Sequence, residues 1–518
     1  MPWEDILVSS KILGHISSGV YRSAGGALKE LVSNAYDANA TRVVITTNHP
    51  SFDIITCRDN GDGMTKDEFV ILMKGGIGES RKRIGYDKTK DLDRPIIGWL
   101  GIGMLGIAQV CHVFSVTSHH RESKTAFQAT IKLIDFLHEK IFDTSPEREK
   151  EDLDVGKFSI EPIEFIEEQC GTYIVASDMR SAFVSKFRGF PGNPLPSKFT
   201  VFLDKIHSSR SINELGDYWQ MIWELSIACP VPYIDSGPFN WVNIAYKKEH
   251  RESFNQIKKK LQDYTFEVII DGLSLRKPII YPFPQKTYDG KKLKGELFFF
   301  SFNEKIYGRP LMLQGYIYLQ NGRAVEPFEL RGLLIRIRNV AIGLYDSTFL
   351  KYPKIEGPRF NWLSGEIYVN EGLESALNID RDSFNEMHAH YVKLQKITHN
   401  ILASVFSQAS QGVRKRSQSK REKEKKQRIK VVEDILKQEF GTEYGVYFSE
   451  EINTEYPIEL DMERKILIIY SNNPIWPRSK TMLEQVQFSA TAFEIAMSHS
   501  EKERKEVFYQ TLKNLLSN

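Results

Sequence analysis

Three short segments, always in the same order and all within the first 106 residues, narrow the fold of this 518-residue chain more than anything else in it. The first is Glu30-Leu-Val-Ser-Asn34-Ala-Tyr-Asp37. It sits in AGGALKELVSNAYDANA, where Ala27, Leu28, Leu31, Val32 and Ala35 recur at helical spacing and predict a helix with one apolar face. Glu30, Asn34 and Asp37 stand at i, i+4 and i+7 and share another face. A carboxylate beside a carboxamide suits a water-activating base next to a magnesium ligand. The same residues also describe a solvated amphipathic face. The second segment is Asp59-Asn-Gly61-Asp-Gly63-Met64-Thr65, at the end of the β-rich run FDIITCRD. An acid there can accept a hydrogen bond from a ligand amine while the glycines allow close backbone approach. An Asn-Gly hairpin turn has the same composition. The third is Gly98-Trp-Leu-Gly101-Ile-Gly103-Met104-Leu-Gly106, read as a loop before a helix whose amides can surround phosphates. A tight packing turn is the alternative. No GxxxxGK(S/T) occurs, which excludes a Walker-type loop, and a dinucleotide fingerprint is disfavoured.

The order ELVSNAYDA, DNGDGMT, GWLGIGMLG and then Gly171-Thr172 on a later strand resembles the GHKL ATPase superfamily, the group of gyrase B, the large heat-shock ATPase chaperone, histidine kinases, MutL and MORC. In style it is closest to the chaperone and MORC branches. The resemblance covers about residues 10–180. It implies a Bergerat α/β sandwich that binds ATP and Mg2+ between helices and an antiparallel sheet. By that resemblance Glu30 is the catalytic base, Asn34 the magnesium ligand, and Asp37 a further nucleotide-site residue. Asp59 is the adenine-binding acid, supported by Gly61, Gly63, Met64 and Thr172. Gly98, Gly101, Gly103, Met104 and Gly106 form the phosphate loop. Residues 75–95 are the ATP lid, with Ser80 and Lys82 as its contacts. Histidine kinases fit least, because they lack the hydrolytic glutamate and no phosphoacceptor helix precedes the domain; His15 reads as an ordinary histidine.

Downstream, Ala376-Leu-Asn-Ile-Asp-Arg381-Asp-Ser-Phe is read as a helix opening with Asp380 as its N-cap. It resembles the chaperone family's middle-domain segment whose arginine reaches the γ-phosphate, although Asp380 and Asp382 replace that family's serine and glutamate. Arg381 is one candidate for the role, since a guanidinium matches a phosphoryl group. Lys354 in YPKIEGPRF is the rival, by analogy with MutL and gyrase. The expected fold class is α+β. It comprises an ATP-binding domain (1–190), a strand-rich transducer or middle domain (191–405), a basic helical linker (406–440) and a small C-terminal α/β region (441–518).

Charge and composition bound the partners. The net charge is only +2, yet residues 411–430 hold ten Lys/Arg against two Glu, so the rest is mildly acidic. This is one basic stretch on an acidic protein, which leaves DNA as an alternative partner through 411–430. Cys57, Cys111, Cys170 and Cys229 form no CxxC pair and read as reduced thiols. His388 and His390 are expected on different helix faces and unrelated to metal. No apolar run is long enough for a membrane span, and MPWEDILVSS lacks the basic start of a secretory signal; both point to a cytoplasmic protein. The expectation is an ATPase clamp that dimerises when ATP binds and acts on a protein partner. The alternatives are a MORC- or MutL-like DNA clamp, which could serve prokaryotic antiviral defence, and an ATP-binding scaffold without turnover.

Overall fold

The structure is a computed structural model. It describes residues 4–8, 23–74, 88–89, 92–97, 106–107, 109–133, 153–235, 248–277, 295–320, 324–378, 382–440, 445–449, 451, 457–461, 464–470, 472–474, 491–492, 498–500 and 503–517. The chain divides into two compact units, Met1–Ala409 and Ser410–Asn518.

The first unit opens with β1 (Glu4–Val8) and α1 (Ala24–Asp37). Ser23 caps α1, its Oγ accepting the N–H of Gly26 at 3.1 Å. There follow β2 (Arg42–Thr46), β3 (Ile55–Asp59), α2 (Lys66–Lys74), β4 (Cys111–His120), β5 (Thr125–Leu133), β6 (Leu153–Ile163) and β7 (Gly171–Met179). Helices α3 (Ser181–Gly189), α4 (Phe199–Ser208) and α5 (Asp217–Ala228) come next. The run ELGDYWQMIWELSIA has helical periodicity throughout, but Gly216 at φ 94° ends a short 3-10 turn (Ile212–Leu215) before α5 begins. After α6 (Lys248–Leu261) come β8 (Glu267–Ile270) and β9 (Leu273–Ser274). The nine strands form one sheet in the order β1-β6-β5-β4-β7-β3-β2-β8-β9. Although YTFEVII falls within the strand-rich 191–405 region expected to form the second domain, β8 lies parallel to β2 in this first sheet, with Val268 opposite Val43. Alternation of apolar residues identifies a strand but not its neighbour. Leu28, Leu31, Val32 and Tyr36 of α1 join Val43, Ile45, Phe114, Val116 and the α5 residues Tyr218, Ile222 and Leu225 in one buried core. Burial of this apolar surface holds helices and sheet together.

A second, five-stranded sheet follows in the same unit: β10 (Gly295–Ile306), β11 (Arg309–Gln320), β12 (Gly332–Ile337), β13 (Val340–Asp346) and β14 (Leu363–Glu371), ordered β10-β11-β14-β12-β13. Strands β12 and β14 are parallel and the other pairs antiparallel. Phe254, Ile257 and Leu261 of α6 pack on one face against Tyr316, Tyr318 and Tyr368. The other face is covered by Leu394, Leu402, Val405 and Phe406 of α7 (Ala389–Phe440).

The helix expected to open at Ala376 does not form there. Leu377 bridges Phe384 in antiparallel fashion, Asn378 N–H donates to Ser383 O at 3.0 Å, and Asn378 Nδ2 donates to Ser383 Oγ at 2.8 Å. Asn and Ser side chains offer the backbone hydrogen bonds that compete with a helix, and a turn wins. Asp380 and Arg381 lie outside the described residues. His388 therefore precedes α7, and its ring stacks on that of His390 at 5.3 Å instead of pointing to another face. The second unit contains the rest of α7, the sheet of β15 (Gly445–Ser449), β16 (Ile458–Asp461) and β17 (Ile466–Tyr470), ordered β15-β17-β16, and α8 (Arg504–Ser517). Residues 491–492 are also helical. Among the described residues no helix is long and apolar enough to cross a membrane.

Candidate functional site

The face of α1 that carries the first motif is not a solvated one. Glu30 is 2% exposed and Asp37 9%. From Ala27 to Asp37 the one exposed position is Asn34. A buried carboxylate is thus set one turn from a carboxamide that faces open space. Burying Glu30 has a cost in water lost, so an ordinary solvated face does not explain it. Asp37 Oδ1 accepts the N–H of Ile97 at 2.7 Å and so anchors the backbone just ahead of the glycine-rich segment.

Asp59 ends β3. Its Oδ1 accepts N–H groups from Gly61 at 2.8 Å and, across the sheet, from Thr172 at 3.3 Å. Asp59 keeps some exposed surface, but its carboxyl group lies deep, and burial pushes it up to about 6, more than the two N–H donors pull it down. Ser118 on β4 ties the neighbouring pieces together. Its Oγ accepts the N–H of Met64 at 2.9 Å, donates to Gly171 O at 3.3 Å, and lies 3.4 Å from Thr172 Oγ1. The second serine of the run CHVFSVTSHH belongs to no motif, so nothing local marks it as part of the site. The glycines of the second motif have a packing reason of their own. A Cβ on Gly61 would stand 2.4 Å from Ala38 O, and one on Gly63, at φ 72°, 2.3 Å from His119 O.

Of the third motif, Gly98, Gly101, Gly103 and Met104 lie outside the described residues, as do Ser80 and Lys82. Gly106 and Ile107 form a short 3-10 turn, and β4 begins at Cys111. The helix expected after Gly106 has no room to form, because the β-branched alternation of HVFSVT claims the chain for the sheet. Lys354 is exposed in the turn after β13. Arg381 lies outside the described residues; its neighbour Asp382 meets α1, its Oδ1 lying 2.5 Å from Lys29 Nζ. Other residues that the motifs do not reveal gather at the far end of α1. Arg94 lies over the Tyr36 ring at 4.9 Å and donates to Ala40 O at 2.8 Å. Asn39 donates to Asp62 at 2.6 Å.

Among the described residues no group of three His, Cys, Asp or Glu could hold a metal. The donor set nonetheless fits Mg2+ with a nucleotide, since that ion keeps water and phosphate ligands and needs few from protein. The fit for a purine is an acid with one oxygen already taken by the N–H groups of Gly61 and Thr172, which leaves the other as the acceptor for a ligand amine. All four cysteines are free and buried.

Comparison with known proteins agrees with this geometry. A family model described as "Histidine kinase-, DNA gyrase B-, and HSP90-like ATPase" matches residues 21–172. The chaperone protein HtpG of Mycolicibacterium vanbaalenii is 37% identical over 114 residues, 18% of this chain and 18% of that protein. The DNA mismatch repair protein MutL of Rickettsia bellii is 32% identical over 129 residues, 25% of this chain and 20% of MutL. The chain spans about a fifth of the length of these curated relatives. A solved N-terminal domain of a DNA repair protein superposes with a TM-score of 0.36 at 13% identity, over 78% of this chain and 99% of that one, too low to carry an argument. Motif order, the buried Glu30 beside exposed Asn34 and the matched family model agree that residues 21–172 form an ATPase domain of the GHKL type.

Proposed function

We propose that the chain is a Mg-ATP-hydrolysing molecular clamp of the GHKL type, built from the four segments 1–190, 191–405, 406–440 and 441–518. The observation that carries this reading is the burial of Glu30 one helical turn from exposed Asn34. In the proposed site Asp59 accepts the adenine amine through the oxygen not taken by Gly61 and Thr172. Asn34 supplies a side-chain oxygen to Mg2+, which would neutralise phosphate charge. Glu30 takes the proton of a water that adds to the γ-phosphorus while the bond to the bridging oxygen of ADP breaks. Asp37 holds the backbone at Ile97, ahead of the phosphate loop formed by Gly98, Gly101, Gly103, Met104 and Gly106. Either Arg381 or Lys354 meets the γ-phosphate from the second domain; the Lys29–Asp382 contact favours Arg381, because it sets the next residue in the chain against the base's own helix. ATP binding then draws two copies together, and the clamp acts on a protein partner, as the chaperone name of one relative suggests.

The test compares ATP turnover and ATP binding in wild type and Glu30→Ala. Loss of a general base slows turnover by about 10²- to 10⁴-fold and leaves binding largely intact. Equal turnover in the two proteins removes Glu30 from the role, and binding without turnover in wild type selects the scaffold reading. A second reading is a DNA clamp, supported by ten Lys/Arg in 411–430 within the continuous helix α7 and by the MutL relatives. Duplex affinity that falls steeply with salt, and loses that slope when 411–430 is neutralised, selects it over a protein partner.

A further inference from the structure

Helix α1 is held at both ends by residues outside the three motifs. Near its start, Lys29 meets Asp382 with 5% and 16% of the two side chains exposed. At its end, Asp37 holds the N–H of Ile97. One residue earlier, the carbonyl of Ile96 accepts from Arg338 Nη1 at 2.6 Å. The same guanidinium reaches Glu374 Oε1 through Nη2 at 3.2 Å. Glu374 and Asp382 are tied together by the contacts that flank them: the Leu377–Phe384 bridge, Asn378 N–H donating to Ser383 O at 3.0 Å and Asn385 N–H donating to Ala376 O at 2.8 Å. The contacts complete a ring. It runs along α1 from Lys29 to Asp37, through the 96–97 backbone to Arg338, on to Glu374, across the Leu377–Phe384 and Asn378–Ser383 contacts to Asp382, and back to Lys29. Glu30 and Asn34 lie on the arc between Lys29 and Asp37.

Arg338 is built to hold its place. Ile337 pairs with Val340, so Arg338 and Asn339 are the two turn residues of the β12–β13 hairpin, at φ 47° and 69°. The turn is pinned from two sides: Asn339 Nδ2 donates to Tyr264 O at 3.1 Å, and Asn339 O accepts from buried Lys277 Nζ at 2.9 Å. From a fixed backbone, a planar fork can hold a carbonyl and a carboxylate together, which the point charge of lysine cannot.

We propose that Arg338 and Asp382 are positioning residues for Glu30. The ring sets α1 against the five-stranded sheet, and the base is presented to its water only while the ring is closed. The activity arm of this inference rests on the ATPase reading above; the structural arm does not. A closed ring has a testable property. Once one contact is cut the constraint is gone, so a second cut adds little, whereas separate contacts with no shared partner act additively.

The experiment uses full-length wild type, Arg338→Ala, Asp382→Ala and the double variant, with Arg338→Lys as the conservative change. It reads kcat, KM and hydrogen exchange across Ala24–Asp37. Each single change should lower kcat by about 10- to 100-fold, the scale of a ~1 Å misplacement, with KM little altered. The double should match the weaker single, Arg338→Lys should fail to rescue, and α1 exchange should rise equally in all four. Multiplying effects on kcat, or α1 exchange unchanged in both singles, overturns the ring. If Arg338→Ala does not fold, near-isosteric Glu374→Gln takes its place with the same expectations. If wild type shows no turnover, the ATPase reading fails and exchange alone decides the ring.

Discussion

At the scale of single residues, Asp59 makes the most exposed prediction. Its usual carboxylate range lies near 3.9, and burial has moved it to about 6. The acceptor form is therefore present above about 6 and is lost as pH falls through that value. Affinity for adenosine, which has no phosphate to titrate, should drop about threefold to fourfold between pH 7.5 and 5.5 when followed by NMR titration. A flat profile over that range would remove Asp59 from adenine recognition. Folding linkage has the opposite sense: the native state holds this proton more tightly than the unfolded chain, so the group's share of stability falls as pH rises from about 4 to about 6. Asp59 was legible in the sequence as an acid at a strand end before two glycines. Its saturated oxygen was not, because one donor, Thr172, lies 113 residues away.

At the scale of elements, β12 and β14 are joined by a charge pair with no exposed surface. Arg336 Nε lies 3.1 Å from Glu366 Oε2, and Arg336 also donates to Ile227 O at the end of α5. Tyr233 and Tyr368 donate to Glu366 Oε2 at 2.6 and 2.5 Å, and Tyr345 donates to Oε1 at 3.0 Å. Burial alone would push the Glu366 carboxyl up, but the guanidinium and hydroxyl donors hold it below the usual range. Glu366→Gln leaves Arg336 buried without its counter-charge and should cost about 3–5 kcal/mol in denaturant titration. Replacing both, as Arg336→Met with Glu366→Leu, should recover much of that loss; a double variant less stable than the single contradicts this account. GLLIRIRNVAIG reads as a strand from its apolar pattern, and the structure divides it into β12 and β13 around the turn at Arg338 and Asn339. That an arginine in the run is wholly buried cannot be read locally, since its partner lies 30 residues on.

At the scale of the whole molecule, the prediction is association. A non-hydrolysable ATP analogue with Mg2+ should double the sedimenting mass from 59.7 kDa, and in Glu30→Ala the doubled species should persist with ATP itself. An unchanged mass at saturating nucleotide rules out the dimeric clamp. The basic stretch belongs to this scale too. Its ten cations were evident in the sequence, and it lies within α7, but composition alone does not choose between a solvated helix and a DNA contact.

What local residues settled about this protein is the helical face of Glu30, Asn34 and Asp37, the strands, and the order of motifs that identifies the superfamily. Helical and strand periodicity and turn chemistry act over a few residues, so they survive in a string of letters. Where turn-forming side chains competed with a helix, at 376–388, the same short-range reading failed. Tertiary structure decided which strand neighbours which, as with β8 beside β2, and which charges meet. Lys29 and Asp382 are 353 residues apart, and Arg338 and Ile96 are 242 apart. Neither pairing has a local signature, because an ion pair or a buried carbonyl contact is chosen by packing that brings distant chain together. Glu30 could be found in the sequence; the contacts that Lys29 and Asp37 make at either end of its helix required the fold.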